Sequence, residues 1–169
     1  MKILLMTDSQ LGMVTGMLEQ KRLVSQIYKW SKSNNKDECI KNEVSNIESF
    51  VQIANSINPD LIVHCGDIVN DIQDKNSIIK FKKVTSKIQN NAPLIFAPGN
   101  HDVGENPRLI SKSGLDIYKS NFGNTYCSYD LNKYRLLFIN SSLFMNPEEI
   151  IDIYNNQLEF IDKSIKNLP

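Results

Sequence analysis

Apolar and polar positions follow two alternating rhythms along the first hundred residues. Short continuous apolar runs, "KILLMT" near the start, "DLIVHCGD" at 60–67 and "APLIFAPGNHD" at 92–102, have the length of buried strands. Between the first two, Val44, Ile47, Phe50, Val51, Ala54 and Ile57 recur at helical spacing, and Pro59 closes that helix. Ile78, Phe81, Val84 and Ile88 mark a second helix between the second and third runs. Strand, helix, strand, helix, strand predicts a βαβ build with a parallel sheet. The polar segment Ser31–Lys36 reads as a surface loop.

Beyond Gly104 the pattern changes. "TYCSYDL" and "YRLLFINS" are period-two runs joined by Asn132 and Lys133, which predicts an antiparallel hairpin. A final amphipathic helix follows, with Asn146 as its cap, Pro147 at its first position, and Glu148 and Glu149 at the positive end of its dipole. Ile150, Ile151, Tyr154, Leu158, Ile161 and Ile165 are its expected apolar face. The fold class is therefore α/β, with one domain expected over residues 1–169.

Composition narrows the function classes. Nineteen basic residues balance nineteen acidic ones, so the broad basic face of a nucleic-acid or anionic-membrane protein is not expected. Cys39, Cys65 and Cys127 are odd in number and far apart, with no C-x-x-C pair, which reads as reduced thiols rather than disulfides or a zinc site. The run Ile3–Met6 is too short for a signal-peptide core, and no apolar stretch is long enough to span a bilayer. The cytosol is the expected compartment.

Each of the three predicted strands ends in polar residues: Asp8 and Gln10, then Gly66 and Asp67, then Gly99, Asn100, His101 and Asp102. In open α/β sheets ligands bind beyond the carboxyl ends of the strands, so these groups are expected to share one crevice. Two carboxylates about 4 Å apart repel by roughly 4 kcal/mol at an effective dielectric near 20. Either one carboxyl keeps its proton or a cation sits between them. The surrounding amide oxygens and imidazole favour the cation, because together they make a divalent-metal ligand set.

His64 is expected to be a satisfied core histidine and Cys65 a small buried hydrophobe. Ser141 and Ser142 lack a G-x-S-x-G context and read as strand-end turn residues. Asp71 and Asp74 read as solvated loop acids.

The three motifs D-x-[H/Q], G-D and G-N-H-[D/E], each at a strand end and in this order, resemble those of the calcineurin-like metallophosphoesterases. "TDSQLG" resembles a branch with glutamine where most members have histidine. The resemblance implies the N-terminal half of that family's αββα sandwich. It implies two divalent metals (Mn, Fe, Zn or Mg) and hydrolysis of a phosphorylated substrate, most simply a monoester, by a metal-bound hydroxide. By the same resemblance Asp8 and Gln10 would hold the first metal, Asp67 would bridge both, and Asn100 would hold the second metal and the substrate phosphate. His101 would stabilise the transferring phosphoryl group or protonate the leaving oxygen, and Asp102 would orient its ring.

The family's later motifs, a lone histidine after a further strand and then G-H-x-H, are not found; the chain has only His64 and His101. The chain is therefore expected to be the first part of such a domain. Two alternatives stand beside the phosphatase: a non-catalytic scaffold on the same fold, like the retromer subunit, and a nuclease akin to the double-strand-break nucleases. The neutral charge balance and Gln10 count against the nuclease. With an amide in place of imidazole, the first metal is expected to shift toward Mn²⁺ or Mg²⁺ over Zn²⁺.

Overall fold

The structure, a computed structural model, describes residues 1–14, 16, 36–106, 109–145 and 147–166. The three apolar runs form β1 (Ile3–Met6), β2 (Leu61–His64) and β3 (Leu94–Phe96), hydrogen-bonded in parallel in the order β1-β2-β3. Met6 pairs with His64, and His64 with Phe96, so the carboxyl ends of all three strands stop on one row. Everything that follows these strands is delivered to the same edge of the sheet.

The connecting helices are α1 (Lys36–Ile57) and α2 (Lys75–Thr85). Asn58 ends α1 in the left-handed region, φ 44°, which asparagine tolerates better than most residues, and Pro59 prevents continuation. Asp74 caps α2, its carboxylate accepting from the amides of Asn76 (3.0 Å) and Ser77 (3.3 Å) and from the Ser77 hydroxyl (2.6 Å). It is a helix cap rather than the solvated loop acid expected. The 31–35 part of the expected surface loop lies outside the described residues, and Lys36 already belongs to α1.

Burial corrects the reading of the first strand. β2 is buried along its whole length, but β1 is an edge strand and Leu5 is 63% exposed. A continuous apolar run does not distinguish a central strand from an edge strand whose outer face is uncovered. The core gathers Ile47 and Val51 of α1 and Ile78, Phe81 and Val84 of α2 around Ile68, Val69 and Ile72, which follow β2. At the carboxyl end of β2 His64, Phe81, Phe96 and Phe122 form a ring cluster with centroid separations of 5.3–6.2 Å.

Three elements between β3 and the predicted hairpin were not foreseen. β4 (Gly104–Asn106) and β5 (Leu109–Ile110) form a small antiparallel pair, and α3 (Lys112–Phe122) follows. Ser111 caps α3 and accepts from the Gly114 amide at 3.0 Å, while Leu115, Tyr118 and Phe122 are buried. The hairpin is β6 (Cys127–Leu131) with β7 (Tyr134–Phe138), closed by Asn132 at φ 55°, with Leu131 opposite Tyr134.

The last helix, α4 (Ile151–Lys166), follows a 3₁₀ turn at Glu148–Ile150, and the expected cap Asn146 lies outside the described residues. Its inward face differs from the apolar stripe. Ile150 is buried, but Ile151, Leu158 and Ile165 are exposed, and the buried positions within α4 are Gln157 and Ser164. Gln157 is inward because its amide pairs with both backbone groups of Asn140, accepting from N at 2.8 Å and donating to O at 3.1 Å. Those bonds satisfy the end of β7 as a neighbouring strand would.

Candidate metal centre

Three loops leave the aligned strand ends. The first carries Asp8 and Gln10, and it is tied to the second by backbone bonds from Asp8 N to Gly66 O (3.0 Å) and Gln10 N to Asp67 O (2.8 Å). The second loop packs on the third at two glycines. Gly66 has φ 101°, and a Cβ there would lie 2.6 Å from the Gly99 nitrogen. A Cβ on Gly99 would collide with Asp67, so both glycines are required for the Asp67 carboxylate to sit against the third loop.

Backbone strain marks the same residues. Among the described residues, five non-glycines have positive φ, and three of them are Asp8 (54°), Gln10 (35°) and Asp67 (52°). The other two are asparagines at a helix end and a hairpin turn, where this conformation is ordinary. Left-handed backbone costs about 1–2 kcal/mol per residue. Such conformations persist where the surroundings over-determine them, and they cluster at ligand sites.

The site opens into a cleft of about 700 Å³ lined by Asp8, Asp67 and Asn100 with Cys65, Gly66, Gly99, Ile110, Ser141, Ser142 and Met145. Asp67 accepts from the His101 amide at Oδ1 (3.1 Å) and from Gln10 Nε2 at Oδ2 (3.2 Å), and Asp8 accepts from the Thr7 hydroxyl. Gln10 thus reaches the cleft through Asp67. The His101 ring is held from outside the cleft wall, with Nδ1 2.6 Å from the Asn70 carbonyl. A carbonyl only accepts, so Nδ1 carries a hydrogen.

Asp102 was expected to orient that ring, and the structure corrects the expectation. It is 0% exposed, and its carboxylate accepts from three backbone amides: Ile68 (2.9 Å) and Val69 (3.3 Å) at Oδ1, and Gly99 (2.9 Å) at Oδ2. It therefore binds the second loop to the third from beneath. Burial pushes its carboxyl up to about 7, the three amides oppose that, and the charge of Asp67 adds to it.

Sequence reasoning also missed part of the wall. Cys65 is exposed in the cleft rather than buried. Ser141 and Ser142 do lie in a turn after β7, yet that turn brings them to the cleft beside Met145. No local signal marks these positions, because the return of the chain over the sheet edge puts them there.

Among the described residues, no three His, Cys, Asp or Glu side chains converge as a ligand cluster. Asp8 and Asp67 nevertheless face a cleft whose described wall has no lysine or arginine. The other two expected ligands, Gln10 and Asn100, are carboxamides, and rotating the Gln10 amide by 180° turns Oε1 to where Nε2 now lies. Two carboxylates and two carboxamides fit a hard, oxygen-seeking divalent cation.

His64 has the satisfied core environment expected of it. Its ring is buried, Nε2 meets Ser9 Oγ at 2.9 Å, and Nδ1 accepts from the Gly66 amide at 3.3 Å. Burial holds its pKa down to about 4, with the charge of Asp8 opposing. The unfolded histidine takes up a proton below about 6.5 and the folded one does not until about 4. Stability is therefore lost as pH falls through that window, by at most roughly 3 kcal/mol. In urea melts the advantage of wild type over His64→Gln should shrink by up to that amount between pH 7 and pH 4, and a constant difference would show that His64 does not titrate this way.

Comparison with known proteins bears on the same residues. A family model described as calcineurin-like phosphoesterase matches residues 1–167. The chain is similar to proteins named serine/threonine-protein phosphatase CPPED1. It is 26% identical over 129 residues to those of Pongo abelii and Homo sapiens, covering 73% of this chain and 40% of each relative. To that of Bos taurus it is 24% identical over 130 residues, 73% of this chain and 41% of the relative. The chain thus spans about 40% of the length of these relatives.

Proposed function

The chain belongs to the calcineurin-like phosphoesterase family, a family of hydrolases, and on that premise we propose that it acts on phosphate monoesters through divalent metal held by Asp8, Gln10, Asp67 and Asn100. The observation that carries this reading is the meeting of Asp8 and Asp67, both in strained backbone, in a cleft without a cationic side chain on its described wall. When bound, divalent metal would supply the positive charge that draws the phosphoryl oxygens and acidifies a water.

The chain's own residues divide the remaining work. Asp8 and Asp67 hold the cation, and Asn100 stands at the exposed side of the cleft to meet the phosphate. His101, with Nδ1 fixed on the Asn70 carbonyl, passes a proton from Nε2 to the leaving oxygen. Asp102 keeps the second and third loops in register, so the expected catalytic pair reduces to His101 with a structural neighbour. The relatives' name points to phosphoserine or phosphothreonine in a protein as the substrate.

Oxygen donors set the metal preference. Zn²⁺ outranks Mn²⁺ for most donor sets, but without imidazole or thiolate the margin should close to about tenfold or less. Calorimetric titration of the chain with each ion checks this. A Zn²⁺ preference of a hundredfold would show that a softer group, with Cys65 in the wall as the candidate, is a ligand.

A second reading has its own support, since no three acidic, thiol or imidazole groups cluster among the described residues. It is a scaffold that keeps the fold without turnover. Assay of p-nitrophenyl phosphate hydrolysis with and without Mn²⁺ separates the two, and a rate indifferent to Mn²⁺ and to EDTA favours the scaffold.

A further inference from the structure

His64 closes β2, and its ring is packed edge-on to Phe81 (centroids 5.6 Å apart) and tilted on Phe96 (6.2 Å). Its two nitrogens serve different loops. The Gly66 amide donates to Nδ1 at 3.3 Å, and an amide can only donate, so the ring hydrogen is on Nε2. Nε2 then donates to Ser9 Oγ at 2.9 Å, and Ser9 gives its own hydrogen to the Ile68 carbonyl at 2.7 Å. One neutral tautomer satisfies every bond in this chain.

The residues at its ends are not arbitrary. Ser9 lies between Asp8 and Gln10, and Gly66 directly precedes Asp67; the two carboxylates and the amide all belong to residues with positive φ. Backbone bonds hold the two turns to each other. His64 is the group that anchors the pair to the packed end of the central strand.

We propose that His64 is a positioning residue: through Ser9 and Gly66 it latches the Asp8–Gln10 turn and the Gly66–Asp67 turn to β2, and so sets the spacing of the two carboxylates. The part of this that concerns metal rests on the reading given under Proposed function. Without the latch only the backbone bonds between the two turns remain, and these open more often, so that Asp8 is held less firmly relative to Asp67. Partners that orient metal ligands from behind matter to affinity nearly as much as the ligands do.

The test uses the double variant Ser9→Ala/His64→Leu, which removes the Ser9–His64 bond from both sides and releases the Gly66 amide and the Ile68 carbonyl that the latch holds. Native-state hydrogen exchange without metal should show the amides of Asp8, Gln10 and Leu11 exchanging at least about tenfold faster, with α1 and α2 unchanged. Mn²⁺ affinity by calorimetry should fall about tenfold to a hundredfold. Unchanged exchange in the first loop, or equal acceleration throughout the chain, overturns the latch. A local loosening with Mn²⁺ affinity kept within twofold overturns its positioning role. If the double variant does not fold, Ser9→Ala carries the same two expectations. A wild-type chain that binds no Mn²⁺ refutes the metal reading, while the exchange measurement still decides the latch.

Discussion

Asp67→Asn should lower Mn²⁺-stimulated hydrolysis of p-nitrophenyl phosphate by about a thousandfold, equivalent to roughly 4 kcal/mol of transition-state stabilisation, while the chain stays folded. The substitution keeps shape and most of the hydrogen bonding. An asparagine Oδ1 still accepts from the His101 amide, and the Gln10 amide can turn to accept from the new Nδ2. What disappears is one of the two carboxylate charges in a cleft whose described wall offers no other anion. Initial rates across a Mn²⁺ titration, with circular dichroism as the control for folding, make the measurement. A variant that keeps its rate within tenfold at saturating Mn²⁺ would mean that Asp67 does not hold the metal.

Asp102→Ala should destabilise the fold by at least about 3 kcal/mol, because three amides lose their acceptor at once and each unpaired buried donor costs about 1–3 kcal/mol. Against a total stability of about 5–15 kcal/mol, that is enough to unfold a marginal domain. The amides in question, those of Ile68, Val69 and Gly99, belong to the loops that carry Asp67 and Asn100, so the site is lost with the fold. His101→Ala is the informative neighbour. It removes a half-buried ring with one bond to a carbonyl and should cost about 1 kcal/mol of stability, yet abolish most of the turnover. Urea denaturation of both variants beside their rates distinguishes the roles. An Asp102→Ala chain that melts like wild type and is merely slow would restore the catalytic role suggested by its place in the motif.

Much of the candidate site could be read in advance because it depends on order along the chain. Three apolar runs each ending in a carboxylate or G-N-H-D, separated by helical stretches, are sufficient to put Asp8, Asp67 and Asn100 at one sheet edge. Parallel pairing in register then aligns the ends. The errors have a different character. Asp102 sits next to His101 in sequence, which suggests partnership, but its carboxylate accepts from the backbone amides of Ile68, Val69 and Gly99. Cys65 extends an apolar run, but at the row where β2 stops, the wall becomes a cleft. In α4 the apolar spacing selected Ile151, Leu158 and Ile165 as core, whereas Gln157 is the residue drawn inward by the end of β7.

Sequence by itself determined the three parallel strands, the helices between them, the hairpin and the strand-end motifs, since these follow from local periodicity and from turn chemistry within a few residues. Only the tertiary structure decided which polar groups satisfy which. Asp102 serves the loops, Asn70 orients His101, and His64 joins Ser9 to Gly66 across 55 and 2 residues of chain. The reason is that a buried donor or acceptor must find a partner somewhere, but its residue type does not say where. That choice is made by packing, when strands far apart in sequence end side by side and their loops compete for the same few hydrogen bonds.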